Sequence, residues 1–432
     1  MLVAISNDSR FNSQKVNLAS SIKQYFSAPK YQWLQAGLNP KDWLLWGEVL
    51  PSDKGMFFRY TITNETFTWQ GYVFNEELVG LDQVFIKRLH QLVDLGVFAS
   101  SALAMDLAIL SSIHKKAPTD PEITLLLAKY YINANQTDIG LTYLDKLTKL
   151  NSAFAQKPYQ AMAYYHTGKV YKQRGHYALA QGQFDKMAKV LKDTPLTHLQ
   201  LDIVNANAWL AYAQANSTNM FSVLASGFSI LDETNDPLAL FELHILYSIL
   251  AEKTAHHDKK YNHLNEAQAL LLQHKLDESN LAIVYYHFAL FSQDNNKAKP
   301  YLKRILALSR TANNYWVQDQ AFELLVQNYI EEGEFLLAHT LFEKQLTSPV
   351  KMVLKAGVYQ AQQQNDLALP LLKKAFELAQ LEYDIYTGLR AALGLYRLTK
   401  AIPNTQAKYW AYLEKNAEEN WLKQHNVITA SE

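Results

Sequence analysis

The chain has 432 residues, of which 49% are hydrophobic and 19% charged, and its 41 basic residues balance 41 acidic ones. This composition excludes a wholly disordered protein and provides enough apolar side chains for a sizeable core, and the length allows two or three domains. A neutral chain lacks the positive field that drives phosphate binding, so we expect no direct nucleic-acid contact. The absence of cysteine excludes disulfides, thiolate nucleophiles and cysteine-based metal sites.

No sequence motif for catalysis, phosphate binding or metal binding occurs in the chain. The carboxylates are scattered through amphipathic patterns, without a pair placed for acid-base work. We therefore predict no catalytic, cofactor-binding or metal-binding residues, no cofactor, and no enzymatic activity. The most apolar stretch, 92–113, is interrupted by Asp94 and Asp106. The uncharged run between them is too short to cross ~30 Å of hydrocarbon, so no membrane span is expected in this segment.

The first hundred residues have the alternating pattern of short strands, with helical spacing in two places. Their order, β-α-β-β-β-β-α, predicts a small mixed sheet with helices packed on it. Pro51 to Gly55 is typical of a hairpin connection, because proline presets one turn dihedral and glycine tolerates a positive φ. The predicted strands cover 2–5, 31–34, 42–50, 56–63 and 65–71, and the predicted helices cover 14–27 and 76–98.

The stretch 168–188 has the pattern of two short helices joined by a turn. Gly168 and Ala180 are small, Tyr171 and Phe184 are aromatic, and Gly175 lies between the two helical patterns. This is typical of one tetratricopeptide repeat (TPR), a helical hairpin whose apolar face is covered only by neighbouring hairpins. The sequence therefore predicts an α+β N-terminal domain followed by an all-α TPR-like superhelix.

Weaker copies of this pattern occur on both sides of it. The small residues Gly140, Ala338 and Ala368 correspond to Ala180, and their spacing is uneven, since Gly140 and Ala180 are farther apart than Ala338 and Ala368. The pattern fades at 209–231, so we expect a degenerate array with variable turns. The predicted boundaries are a small α/β domain at 1–100, repeats at 101–381, and capping helices at 382–432, with a terminal helix at 410–424.

A series of motifs joins the two regions. Residues 42–50 (DWLLWGEVL) precede a hairpin, 57–62 (FFRYTI) follow it, and 68–69 (TW) come before a long helix that leads into the repeats. The series resembles the extracytoplasmic part of CadC/ToxR-like membrane-anchored winged-helix transcriptional regulators, in which a TolB-N-terminal-like domain precedes TPR-like repeats. The resemblance covers essentially the whole chain. It implies a periplasmic signal-input and protein-interaction module, with the DNA-binding and transmembrane parts of such a regulator outside this chain.

In a TPR array the first helix of each hairpin faces the concave groove. Lys169 and Lys172 with Tyr165 are placed to hold an acidic peptide end, although the Lys/Asn/Lys/Arg set of carboxylate-clamp repeats is not reproduced. We therefore expect a protein or peptide in the groove, with self-association as a second mode, and an ordinary solvated groove as the alternative. The repeat register selects the following candidates: Leu125, Lys129, Tyr165, Lys169, Lys172, Glu323 and Gln327.

One group of side chains has the residue types of a metal site. His256, His257 and His263 surround Asp258, in what the pattern predicts to be an exposed polar loop. Because histidine titrates near pH 6.5 and a neighbouring carboxylate raises that value, we consider the three histidines a candidate pH-responsive patch, and we predict no metal there.

Two other functions remain open from the sequence. The chain also fits a cytoplasmic TPR adaptor or scaffold protein with an unusual N-terminal domain. It also fits a small-molecule sensor with a pocket between the α/β domain and the first repeats. The signal, the partner, the target genes and the oligomeric state have no sequence signature.

Overall fold

The structure is a computed structural model that describes residues 42–399, except 65–66, 100–106, 135, 152, 233–235, 275, 277, 293, 309–313, 343–347 and 382–384. The chain divides into two compact units, one formed by residues 1–284 with 310–314 and the other by residues 285–309 with 315–432. The predicted strands at 2–5 and 31–34 and the predicted helices at 14–27 and 410–424 lie outside the described residues.

Three antiparallel strands form a sheet in the order β1-β2-β3: β1 (Leu44–Ser52), β2 (Gly55–Thr63) and β3 (Thr68–Asn75). Gly55 has a φ of 134°, and a Cβ there would lie 2.5 Å from the Asn75 carbonyl oxygen, so the β1–β2 turn requires glycine. The strand predicted at 65–71 begins later, because the Asn64 side chain accepts a hydrogen bond from the Phe67 amide at 2.8 Å and forms a turn.

Seventeen helices follow the sheet in the described part of the chain. Helix α1 is shorter than the predicted helix at 76–98, and it begins after Gly80, which has a φ of 92°. The helices are α1 (Leu81–Asp94), α2 (Leu107–Lys116), α3 (Pro121–Asn133), α4 (Thr137–Thr148), α5 (Lys157–Gln173), α6 (Tyr177–Leu191), α7 (Thr197–Ala213), α8 (Ser217–Asp232), α9 (Pro237–Lys253), α10 (His257–Gln273), α11 (Leu281–Phe291), α12 (Asn295–Ala307), α13 (Tyr315–Glu331), α14 (Phe335–Phe342), α15 (Pro349–Ala361), α16 (Asn365–Leu381) and α17 (Ile385–Thr399).

Both faces of the sheet are covered by helices of the first unit. On one face, Phe58 and Tyr60 pack on Phe85 of α1, and their cluster continues into α2 and α3. On the other face, Phe57 packs with residues of α5, α6 and α7, among them Met187. The sheet is therefore built into the helical array of this unit, and the fold class predicted from the sequence, a small sheet followed by TPR-like helical hairpins, is confirmed.

Four consecutive hairpins of the first unit, α3/α4, α5/α6, α7/α8 and α9/α10, repeat with a constant spacing. The pattern fades at 209–231 because Met220 stands where Ala180 stands in the hairpin before, yet α7 and α8 pair as the helices of the other hairpins do. Equivalent buried positions show the spacing: Ala128, Gly168, Ala208 and Ser248 on the first helices and Leu144, Phe184, Leu224 and Leu264 on the second.

The turn inside each hairpin recurs at the same interval. The Gln136 amide donates to the Tyr131 carbonyl at 2.8 Å, closing the ring of a Schellman motif. The chain takes a positive φ at Gly175 (76°), Ala215 (54°) and Ala255 (59°). Each of these residues comes just before the amide that closes the ring. The equivalent bonds in the next hairpins are His176 to Tyr171, Asn216 to Ala211 and His256 to Ala251.

The close approach of α5 and α6 can be tested with two glycines. A Cβ on Gly168 would lie 2.5 Å from a ring carbon of Phe184, whereas a Cβ on Gly182 would meet nothing within 4 Å. We expect Gly168→Ala to lower the free energy of unfolding by roughly 1–3 kcal/mol through overpacking. Gly182→Ala should raise it by about 0.5–1 kcal/mol, because alanine loses less backbone entropy in a helix. Urea unfolding would measure both, and equal effects of the two substitutions would contradict this packing.

The second unit contains hairpins α13/α14 and α15/α16, and α17 packs on α16. Their turns have a positive φ at Gly333 (74°) and Gln363 (62°), which lie closer together along the chain than the turns of the first unit do. The uneven spacing predicted from the sequence lies within the second unit, where the buried residues Ala298 and Ala338 are farther apart than Ala338 and Ala368, whereas the four hairpins of the first unit keep one interval. Among the residues that the structure describes, no helix is both long enough and apolar enough to cross a membrane.

Candidate interaction groove

One face of the first helices of the four evenly spaced hairpins presents rows of equivalent side chains. Residues three, four and seven positions apart share a face of a helix, and the constant spacing carries each position to the next hairpin. We call this face the groove. Its three rows are Glu122, Met162, Asp202 and Glu242; Leu125, Tyr165, Asn205 and Ile245; and Lys129, Lys169, Trp209 and Ile249.

Two carboxylates of the groove, on α7 and α9, have raised pKa values. Glu242 is exposed and Asp202 is half-buried. Nevertheless, burial raises the pKa of Glu242 to about 7, with Asp236 and Asp202 adding to the shift. Burial also raises the pKa of Asp202 to about 6, against the opposing charges of Arg59 and Lys169. Both carboxylates are therefore partly desolvated by the surrounding protein, although neither is fully buried.

The sheet borders this groove at the start of its helices. Arg59 on β2 lies between Glu48 on β1 and Tyr72 on β3, and its guanidinium donates to Glu48 Oε1 at 3.1 Å. The Tyr72 hydroxyl lies 2.7 Å from His198 Nε2 in the first turn of α7, and the two rings stack. Burial and the charge of Arg59 hold the pKa of His198 well below its usual value, so this imidazole is neutral.

Glu122, the first carboxylate of the row, is enclosed by hydrogen-bond donors. Its Oε2 accepts from the Tyr60 hydroxyl (2.6 Å), the Trp69 indole (2.8 Å) and Arg88 Nη2 (2.7 Å), and its Oε1 accepts from the Tyr159 hydroxyl (2.7 Å). Burial and the neighbouring Glu122 raise the pKa of Tyr60 and Tyr159 well above 10, so both hydroxyls keep their protons and donate. The donors come from β2, β3, α1 and α5, so this carboxylate ties the sheet to two hairpins.

Arg88 also binds a second carboxylate, that of Asp120. Its two Nη atoms donate to the two carboxylate oxygens of Asp120 at 2.5 and 3.0 Å. Asp120 in turn caps α3 by accepting from the amides of Glu122 and Ile123. A Cβ on Gly71 would lie 2.3 Å from Glu122 Oε1, so only glycine on β3 allows the sheet to approach so closely. We call Glu122, Arg88, Asp120, Tyr60, Trp69 and Tyr159 the anchor network.

The lysines predicted for the groove lie close together on α3 and α5. Burial and the charge of Lys169 lower the pKa of Lys129 and of Lys172. Lys169 Nζ lies 5.4 Å from the centre of the Tyr165 ring. Burial, Lys129 and Lys169 together lower the pKa of His166 to about 3, so this ring adds no charge. Within the described residues none of the three lysines forms an ion pair, so this end of the groove, the lysine end, is positive.

The other end of the groove carries the opposite charge. Asp202 on α7 and Glu242 on α9 form neither a hydrogen bond nor an ion pair within the described part of the chain. Asp236, whose carboxylate accepts from the Ala239 amide at 3.2 Å and caps α9, adds to the negative charge. We call Asp202 and Glu242 the carboxylate end. The remaining predicted groove residue of this unit, Leu125, is buried and packs against the cluster that contains Tyr72.

The carboxylate end should make stability fall as pH rises. The pKa of Asp202 (about 6) and of Glu242 (about 7) is raised in the folded chain. The folded chain therefore keeps protons on these two carboxylates at pH values at which the unfolded chain has released them. The contribution of the two groups to the free energy of unfolding is highest below pH ~4, where both states are protonated, and it falls as pH rises through 6 and 7. We expect Asp202→Asn/Glu242→Gln to match the wild type in urea unfolding at pH 4 and to exceed it increasingly up to pH 8. A constant difference over this range would contradict the raised pKa values.

The two groove candidates of the second unit are half-buried on α13. Arg390 on α17 lies 2.7 Å from Glu323 Oε1, and the Gln327 side-chain amide lies 3.4 Å from the same carboxylate. Glu323 therefore forms an ion pair with an arginine of its own unit, whereas Asp202 and Glu242 form no ion pair within the described chain. A ligand at Glu323 and Gln327 stays a prediction for the second unit considered alone.

The three histidines of the predicted pH-responsive patch have different surroundings. His256 precedes α10 and His257 begins it, so this segment is helical and not the predicted loop. His263 is stacked on Tyr247 at 3.6 Å between ring centres, and its Nδ1 lies 2.9 Å from His244 Nδ1. Burial and then His244 lower the pKa of His263 to about 4. A joint pH response of the three residues stays a prediction.

A metal centre and a small-molecule pocket are the two other kinds of site to consider in the described residues. No group of three or more His, Cys, Asp or Glu side chains there is placed to hold a metal ion. A cleft of about 590 Å³ lies between α6, α7 and α8, and most of its lining is aliphatic, with Lys189 and Lys192 at one side. It is lined by helix residues, two of which, Leu191 and Ile203, also belong to the cluster around Phe57 of β2, and a small-molecule pocket between the sheet and the first hairpins stays a prediction.

The sequence-based selection missed three kinds of groove residue. Asp202 and Glu242 lie two and three repeats after Glu122, so the constant spacing was the signal that would have found them. His198 lies one helical turn before Asp202 on the same face. Arg59 belongs to the sheet, and no sequence spacing relates a strand residue to a helix so much later in the chain.

No family model matches the chain, and no curated protein matches it. Solved structures with some likeness include a human IFIT1 dimer with PPP-AAAA (14% identity over 67% of this chain, TM-score 0.38). Others are a Pyrococcus horikoshii signal transduction ATPase with a TPR sensor (10%, 81%, TM-score 0.38) and a TPR protein from Parabacteroides merdae (14%, 72%, TM-score 0.33). The alignments span 62%, 48% and 98% of those chains respectively.

Proposed function

We propose that this chain is a non-enzymatic protein-interaction module whose groove holds a segment of a partner protein. The observation that carries this proposal is the lysine end: three ammonium groups on two neighbouring helices, without an ion-pair partner in the described chain. Burial and, in second place, the charge of Lys169 lower the pKa of Lys129 and of Lys172, so Lys169 repels both of the other ammonium groups. Holding like charges close together costs free energy, and an anionic ligand between them would offset it. Carboxylates of an acidic peptide fit three lysine donors beside the Tyr165 ring.

The wider role that we propose is signal input to a membrane-anchored transcriptional regulator, in the periplasm. It is supported by the series of motifs at 42–69 and by the sheet that they form, which is joined to the repeats by the anchor network. In this role the groove captures a partner and the sheet transmits the bound state toward the membrane. A cytoplasmic adaptor would use the same groove without a membrane anchor.

The partner can be sought by photocrosslinking in cells that express the complete gene. A photoreactive amino acid at Asn205, exposed on the groove, is compared with one at Leu179, which is 53% exposed on α6. We expect an adduct of defined mass from Asn205 and none from Leu179, and the adduct should disappear with Lys169→Glu/Lys172→Glu. Equal adducts from both positions, insensitive to the lysine substitutions, would overturn the interaction role.

The regulator context has a separate test. The coding sequence upstream of Met1 should encode a winged-helix domain and a stretch of about 20 apolar residues. The full-length product should then appear in the membrane fraction, with the groove accessible to protease from the periplasmic side. A start codon at Met1 with a protein found only in the cytoplasmic fraction would favour the adaptor.

A further inference from the structure

The groove is charged oppositely at its two ends, and we infer that it binds one extended partner segment with acidic residues at one end and arginines at the other. This inference rests on the proposed function and adds the charge order of the partner. Three observations carry it: the lysine end, the carboxylate end, and the way in which the chain itself occupies the equivalent carboxylate, Glu122.

The anchor network shows which groups suit this row of carboxylates. Glu122, Asp202 and Glu242 occupy one position of the repeat, on α3, α7 and α9. At Glu122 a guanidinium, an indole and two phenol hydroxyls supply the hydrogen bonds. These four donors reach only Glu122. The sheet also borders the next positions of the row, since Met162 packs against the cluster around Phe57 and the charge of Arg59 acts on Asp202. No side chain of the described residues, however, donates a hydrogen bond to Asp202 or Glu242.

A guanidinium is the group that best replaces them. Its planar fork donates two parallel hydrogen bonds to a carboxylate, as the bidentate contact of Arg88 with Asp120 does in the anchor network. A lysine would supply only a point charge. An arginine at the carboxylate end would also remove the repulsion that Asp202 and Asp236 exert on Glu242. The carboxylate end thus fits an arginine of the partner. An aromatic side chain of the partner next to that arginine would contact the exposed Asn205 and the half-buried Trp209.

The lysine end disfavours a partner segment that is basic throughout, and the carboxylate end disfavours one that is acidic throughout. Like charges placed opposite one another cost affinity, so a segment of mixed charge is favoured over both. Neighbouring helices lie roughly 10 Å apart, which places the centres of the two ends about 20 Å from each other. About six residues of extended chain cover that distance at ~3.3 Å each.

The test uses three fluorescein-labelled peptides of equal length, measured by fluorescence anisotropy with the full chain. One has three glutamates, a spacer of six alternating glycines and serines, and three arginines. The other two replace either the arginines by glutamates or the glutamates by arginines. At low ionic strength we expect the mixed peptide to bind about tenfold more tightly than either uniform peptide.

Substitutions at each end give distinct expected results. Asp202→Asn/Glu242→Gln should weaken the mixed peptide about tenfold and leave the acidic peptide unchanged or bound more tightly. Lys169→Glu/Lys172→Glu should reverse the order, so that the arginine peptide binds best. The matched control is Asp185→Asn/Asp232→Asn, which removes two exposed carboxylates of α6 and α8 and should change nothing. Circular dichroism of each variant establishes that it is folded.

The outcomes separate this inference from the proposed function. If the mixed peptide binds no more tightly than the acidic one, or ignores the loss of Asp202 and Glu242, the charge order is wrong. The lysine-dependent adduct at Asn205 would then still support the interaction role. If the adduct fails as well, both fail.

Discussion

Replacing Glu122 by alanine is expected to lower the free energy of unfolding of the first unit by about 3–5 kcal/mol. The substitution removes the acceptor of four donors and leaves the Arg88 guanidinium inside the protein with Asp120 as its remaining carboxylate. The Tyr60 and Trp69 side chains, at most 1% exposed, would keep polar atoms without an acceptor. Hydrogen exchange of peptides from β2 and β3, followed by mass spectrometry, measures the effect where the network lies.

An equivalent position of the repeat provides the control for this substitution. Asp202→Ala changes the equivalent position of the third hairpin, where the carboxylate has no hydrogen-bond donor in the described chain. It should leave exchange in β2 and β3 unchanged and should not lower stability at pH 8, since the pKa of Asp202 is raised to about 6. If Glu122→Ala and Asp202→Ala had the same effect, the anchor network would not be what joins the sheet to the repeats.

The second large effect is expected at the buried lysine of the fourth hairpin. Lys260 stands where Gly140, Ala180 and Met220 stand in the other hairpins, and its ammonium contacts the Glu252 carboxylate, its side chain being 3% exposed. We expect Glu252→Ala to cost about 3 kcal/mol, because it takes the carboxylate away from an ammonium that water scarcely reaches. Exchange in peptides of α9 and α10 would show it.

Lys260→Met provides the matched comparison. It places in the fourth hairpin the residue that the third hairpin has at this position, Met220, which is fully buried there. Replacing a buried ion pair by an apolar side chain of similar volume is often neutral or stabilising, so Lys260→Met should cost less than about 1 kcal/mol. A loss as large as that of Glu252→Ala would mean that the charge itself is required at this position.

Local patterns were enough to predict the hairpin of β1 and β2 and the TPR-like hairpins. Alternation of apolar residues and a turn glycine define strands, and small and aromatic residues at helical spacing define the repeat. The third hairpin was missed because Met220 replaces a small residue: its long, flexible side chain fits the same buried position, which a pattern of small residues does not allow for.

The candidate site was predictable to the extent that it follows the repeat register. Lys129, Tyr165 and Lys169 were found in that way. Asp202 and Glu242 follow the same register, but a search for peptide-binding lysines passes over carboxylates. The anchor network could not be predicted from the sequence, because Tyr60 and Glu122 are 62 residues apart and only the packed sheet brings them together.

The constant spacing of the four hairpins has a consequence for how the array can change in length. Adding or removing one whole repeat joins equivalent positions of the chain, so helix ends and turns are preserved at the junction. The first three hairpins are the exception, since the sheet holds Glu122 and Tyr159 through the anchor network and packs on α5, α6 and α7 through Phe57. The groove can thus grow or shrink by whole repeats at its carboxylate end, while its other end is fixed to the sheet.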